Sequence, residues 1–219
     1  MNARVASVAT RRPHGMLLFA AAAVAALALL WAVTVPAQAR AATVSLKGVQ
    51  TTLTTDPVTT GVLFGASIIP FPVSPTTLSP TAHAARYTFP ITRGLVNAKT
   101  LVGSISHSGG LLLASYTTPT TMPSSWKSLA LTKFTIRITS SPHLTAVVNG
   151  GARATIATLD LSGAKITHFV RHHHTYVRVA DVVVNLNATA VTAINSTFGT
   201  TLPAPVELGT ATVLARVVG

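Results

Sequence analysis

From Arg86 onwards, apolar side chains fall on every second residue more persistently than at any helical spacing. Tyr87, Phe89 and Ile91 alternate with Arg86, Thr88 and Pro90, the period of a strand with one buried face. Pro90 cannot donate to a ladder, which predicts an edge position. Leu101, Gly103, Ile105 and His107 repeat the pattern, and Ser108-Gly109-Gly110 then supplies small residues suited to a tight turn. A hairpin returning through Leu111 to Tyr116 is the expectation, with His107 closing a core-facing row beside the turn. In Leu129 to Ile138 the apolar parity changes between Leu131 and Phe134, and it changes again between Ile156 and Leu159. One extra residue at each place implies a β-bulge. Asn149-Gly150-Gly151 is a strong hairpin turn. Ile166, His168 and Val170 share one parity, His172-His173-His174 sits where a reversal is needed, and Tyr176 to Leu186 returns. A final strand is expected from Leu208 towards Val217.

Two stretches break this period. Asp56-Pro57 has the form of a helix start, a capping carboxylate followed by a first-turn proline, with Val58, Val62 and Leu63 expected inward and Gly65 as the stop. Asn187 to Gly199 places Val191, Ile194 and Phe198 on one helical face between a capping Asn and a terminating Gly. The two segments match at Leu, Val, Phe and Gly, so a repeated strand–helix–strand unit is a further expectation. Between them, Pro70, Pro72, Pro75 and Pro80 predict an extended, edge-lying stretch. The pattern as a whole predicts a mainly β domain, an antiparallel β-sandwich or curled sheet with one or two short helices.

The first forty residues follow a different rule. Arg4, Arg11 and Arg12 precede an uncharged run from Met16 to Val35, and Ala39-Arg-Ala41 offers small residues to a secretory peptidase. The reading is a signal peptide over residues 1–41, or a membrane anchor if the run over 16–35 is retained, followed by one exported domain over 42–219. The chain would then be secreted or held in the extracytoplasmic envelope.

Composition narrows the chemistry. The whole chain carries a formal +12; losing Arg4, Arg11, Arg12 and Arg40 leaves twelve cations against four acids, a formal +8. These cations are scattered and aromatics are few, which argues against nucleic acid. An anionic wall polymer or lipid surface is the better partner. No cysteine is present, which removes disulfides and thiolate chemistry. Catalysis has only Asp56, Asp160, Asp181 and Glu207 as carboxylates. Asp56 is explained as a cap, and the surroundings of Ser106 and Ser108 do not form a nucleophile elbow. A non-enzymatic protein is expected, with a hydrolase using Asp160 or Asp181 as the remote alternative. His168, His172 and His174 form a histidine-rich tract with metal-ligand chemistry, although adjacent strand residues point to opposite faces. His107 is the sharper candidate: it can meet a ligand at the sheet end or bond a backbone carbonyl.

Four segments carry a resemblance. Phe89-Pro-Ile-Thr-Arg-Gly94, Gly103-Ser-Ile-Ser-His107-Ser-Gly-Gly110-Leu, Leu129-Ala-Leu-Thr-Lys-Phe134 and Leu159-Asp-Leu-Ser-Gly163 are similar to exported β-rich proteins of actinobacteria and, distantly, to the HtaA-type haem-binding domain. In that domain a Gly-x-x-x-Phe-x-Gly-His-x-Gly-x-Leu segment matches His107, Gly109 and Leu111. The resemblance implies haem binding at the cell envelope through a tyrosine with a histidine nearby, and it nominates His107. The family's Trp-Gly-x-Lys-x-Ser-Phe-x-x-Tyr segment is missing, since no tyrosine or tryptophan lies between Ala42 and Pro80. Tyr87 or Tyr116 could substitute only by a different geometry. The functional expectation is a ligand-binding envelope protein, its ligand haem or a wall polymer, with a structural or adhesive wall component as the competing class.

Overall fold

The computed structural model describes residues 43–81, 84–97, 99–115 and 126–218. The expected leader and Tyr116 lie outside these residues. The described chain forms twelve strands and two short helices. In order they are β1 (Thr43–Thr55), α1 (Pro57–Gly65), β2 (Ile68–Val73), β3 (Thr77–Pro80), β4 (Ala85–Asn97), β5 (Gly103–His107), β6 (Gly110–Ser115), β7 (Ser128–Ile138), β8 (His143–Val148), β9 (Arg153–Asp160), β10 (Lys165–Arg171), β11 (His174–Leu186), α2 (Ala188–Phe198) and β12 (Val206–Val218).

All pairings are antiparallel, and eight strands close on themselves in the order β7-β5-β4-β1-β12-β11-β9-β8 and back to β7. The result is a barrel with extra strands, where a sandwich or open curled sheet was expected. Closure follows from the bulges. Lys133 takes positive φ (51°) where β7 meets β8, and Ile156 is the extra residue opposite the Leu144/Thr145 step. Gly48 and Val49 (both φ 67°) break β1, and Asp181 (φ 60°) breaks β11. Each bulge adds local twist and bend, which turns a flat sheet into a closed wall without an edge.

The expected hairpin at Leu101–Tyr116 is not one. β5 and β6 never pair; both lie along the same edge of β7, β6 against Ser128–Thr132 and β5 against Thr135–Ile138. They are two collinear halves of one interrupted strand, and Ser108-Gly109 is a kink within it. Gly109 (φ 79°) passes so close to Thr76 and Val73 that a Cβ would sit 2.3 Å from the Thr76 hydroxyl oxygen. Across the kink the Gly109 carbonyl accepts the Lys133 N–H at 2.9 Å, so the interruption in one strand faces the bulge in the other. A further correction concerns Pro90. It lies mid-strand in β4, between the stretch paired with β3 and the stretch paired with β5, so its missing N–H costs no ladder bond.

Both helices form with the expected N-caps, and α2 ends on Gly199 as expected, whereas in α1 Gly65 is the last helical residue and Ala66 is the C-cap. The Asp56 carboxylate accepts the Thr59 N–H at 2.8 Å and the Asn187 side chain accepts that of Ala190 at 2.9 Å. In α2, Ala190, Val191 and Ile194 are buried and Phe198 packs against the core. In α1 the buried residues are Thr59 and Leu63, while Val58 is 73% exposed and Val62 is also exposed. The helix is rotated because the Thr59 hydroxyl donates to the carbonyl of Glu207 on β12. The repeat is incomplete. After α2 the chain returns alongside β11 as β12, whereas after α1 it leaves as β2 to pair with β6.

Candidate functional site

The barrel interior is apolar. A cavity of about 90 Å³ is lined by Leu53, Phe89, Ile105, Phe134, Val182 and further aliphatic side chains, with His107 and Thr51 its only polar side chains. Register explains the meeting. Thr51 pairs with Phe89, and Ile91 pairs with His107, so neighbouring inward positions on β1, β4 and β5 converge.

His107 is 5% exposed. Its Nδ1 lies 3.3 Å from the Phe134 carbonyl oxygen and its Nε2 lies 2.7 Å from the Thr51 hydroxyl. A carbonyl only accepts, so Nδ1 carries the proton, and Nε2 accepts the Thr51 O–H. Burial pushes the imidazole down to about 4, against a smaller upward pull from the Phe134 carbonyl. The ring is neutral, doubly bonded and walled by the edge-on pair Phe89 and Phe134, whose centroids are 5.1 Å apart.

Tyr87 is elsewhere. It stands four residues before Ile91 on β4, roughly 13 Å of strand from the His107 pairing. Its hydroxyl donates to the Pro70 carbonyl at 2.8 Å, bridging β4 to β2, and burial raises its pKa to about 12. Haem, which the resemblance implies, does not fit these residues as they stand. Both nitrogens of His107 are occupied, Tyr87 is remote and engaged, and the cavity is far below the roughly 300–1,000 Å³ of a site that buries a drug-sized ligand.

The histidine tract lies at a hairpin tip. His172 and His173 occupy a two-residue turn with φ of 49° and 61°, and Arg171 pairs with His174. The reversal is as expected. His168 pairs with buried Val177 and shares its face, whereas His174 is on the opposite face with Arg171. Among the described residues no group of three or more His, Asp or Glu is arranged to hold a metal ion. Asp181 pairs with Lys165 at 2.9 Å in solvent, and Asp160 is tied to the Ser162 N–H on the surface. Neither lines the interior cavity.

The feature that periodicity missed is a surface. β10 continues the line of β9 past the point of closure and pairs only with β11, which is itself held to β12 over Tyr176–Val179, so the β10–β11 hairpin forms an arm with an open β10 edge and a tip that extends past β12's pairing. Ile166, His168 and Val170 carry the barrel's inward face out into solvent. The outward face bears a row running Lys47, Arg216, Tyr176, Phe169 across four strands, with Arg178 and Arg171 beside it. Phe169 and Tyr176 stack at 5.5 Å. The one ion pair among the described residues is Lys165–Asp181, so these four cations have no carboxylate partner there. No local sequence pattern marks the cluster, since Lys47, Arg171, Arg178 and Arg216 each lie on a separate strand, and only register collects them.

The fold is that of a closed β-barrel module with two capping helices, and known structures share it. No family profile and no curated protein sequence matches the chain. The C-terminal domain of HtaA from Corynebacterium glutamicum is similar at TM-score 0.51 and 14% identity, over 80% of this chain and 99% of that domain. HtaB from the same organism, described as a haem-binding protein, aligns at TM-score 0.46 and 14% identity over 81% of this chain and 96% of its own. The chain therefore resembles the HtaA domain distantly, as its sequence segments indicate.

Proposed function

We propose that this chain is a non-enzymatic extracytoplasmic envelope protein, a barrel module that binds an anionic surface through the basic outer face of β1, β12 and β11. The observation that carries the reading is the cluster Lys47, Arg216, Arg178 and Arg171, gathered on one exposed side without a compensating acid among the described residues. Each cation near an anionic surface contributes about 1 kcal/mol, falling off within a Debye length. Export is supported by the arginine-led apolar run before Ala41. The buried and satisfied His107 supports a ligand at the surface over one in the interior.

The test is vesicle pelleting of the full chain. Binding to phosphatidylcholine alone measures the contribution of the run over residues 16–35. The reading expects added binding when phosphatidylglycerol is included, lost at high salt and reduced in Lys47→Glu and Arg216→Glu. An increment that is absent, or indifferent to salt and to both reversals, rejects it.

A further inference from the structure

The β10–β11 arm has two unlike faces. On one, Ile166 and Val170 are 52% and 72% exposed, continuing the line of buried Val177. On the other lie Arg171, Arg178 and the stacked pair Phe169–Tyr176. A soluble barrel has no need to carry its inward apolar row into water. We infer that the arm is a membrane-surface contact that meets an anionic bilayer tip first, so that Val170, with Ile166 behind it, on one face and Phe169, Tyr176 and Arg171 on the other reach the headgroup boundary together, with Arg178 and the row from Lys47 to Arg216 close behind. This rests on the anionic-surface reading above and names both the lipid and the contacting element.

Three observations select a bilayer. The arm is amphipathic, and entry by its tip brings its apolar side chains to the headgroup boundary while cations on long stems on the other face reach phosphate. Its aromatic pair belongs at headgroup level, where a ring's apolar body and polar rim are both satisfied. Its only acid, Asp181, sits at the base of the arm and is already neutralised by Lys165. A hydrated polymer would use the arginines but leave Ile166 and Val170 in water. A second copy is disfavoured, because an antiparallel β10–β10 pair centred on His168 would set Lys165 against Arg171, a like-charge contact across an edge.

Because the chain has no cysteine, Val170→Cys in the full chain takes a single environment-sensitive fluorophore. Thr201→Cys, exposed beyond the far end of β11, is the control. On vesicles containing phosphatidylglycerol the Val170 label is expected to brighten several-fold and shift to the blue, with the Thr201 label silent and phosphatidylcholine vesicles giving little. Arg171→Glu and Arg178→Glu should each lower arm contact by at least about fivefold, with unchanged urea midpoints. A silent Val170 label on a chain that still pellets in a salt-sensitive way overturns the arm and leaves the anionic-surface reading standing. Equal brightening on phosphatidylcholine overturns the anionic requirement. The same brightening with soluble polyphosphate overturns the bilayer in favour of a polymer. Loss of salt-sensitive pelleting altogether brings down both readings.

Discussion

The Thr51 hydroxyl and His107 Nε2 are 2.7 Å apart inside the barrel, although 56 residues separate them in the chain. This bond joins β1 to β5 across β4 and satisfies the polar side chains of an otherwise apolar cavity. Thr51→Val keeps the shape but leaves Nε2 buried without a donor, which should cost about 1–3 kcal/mol. His107→Ala removes the ring and opens space, and about 2–4 kcal/mol is expected. Urea denaturation measures both, and the double variant should cost less than the sum of the two.

Acid should find the same residue. The His107 folded-state value, about 4, lies below the ordinary imidazole value of 6.5, so the unfolded chain takes up this proton first. Nothing is lost at neutral pH. Stability should fall as the pH drops from about 6.5 to about 4 and then level off, with a total on the order of 3 kcal/mol from this group. Denaturation midpoints at neutral pH and near pH 4.5 will show it. His107→Gln should flatten the slope in that window, and an unchanged slope would place the acid sensitivity elsewhere.

Haem titration separates fold from ligand. With both imidazole nitrogens engaged and Tyr87 bonded to Pro70, the protein is expected to give no Soret shift that depends on His107. Wild type and His107→Ala should give the same spectrum. A shift present in wild type and lost in the variant would show that the Thr51 bond opens to admit the porphyrin.

The kink between β5 and β6 has its own signature. A Cβ at Gly110 would stand 2.3 Å from the Leu131 carbonyl oxygen, a backbone atom held in the ladder with no flexible end to move. Gly110→Ala should therefore cost about 3 kcal/mol or more. Gly163→Ala, with open space around it, should be close to neutral in the same thermal melts.

Much of this was legible in the chain. Parity changes at Leu131–Phe134 and Ile156–Leu159 do mark bulges, because a period of two leaves no other way to keep successive apolar residues inward. Asp56, Asn187 and Gly199 mark helix ends because their chemistry acts locally. Ser108-Gly109-Gly110 was misread because glycine permits a reversal and a kink equally. The choice was made by β7, which offers one long edge to both halves and a left-handed Lys133 opposite the break. Val58 and Val62 have the spacing of a buried face, yet the helix turns Thr59 and Leu63 inward, with the Thr59 hydroxyl donating to the Glu207 carbonyl and the Asp56 N–H to that of Leu208. The inwardness of His107 was readable; its partner was not, since no local pattern links it to Thr51.

β1 pairs with β12 from Ser45 opposite Val218 to Thr55 opposite Gly209, so the wall is sealed by segments from opposite ends of the described domain. Until residues 206–218 are available, β1 and β11 are both raw edges and the apolar interior has no enclosure. Such a chain cannot settle into its barrel while its carboxyl-terminal strand is missing. It completes its structure when the final strand arrives between the first and the eleventh.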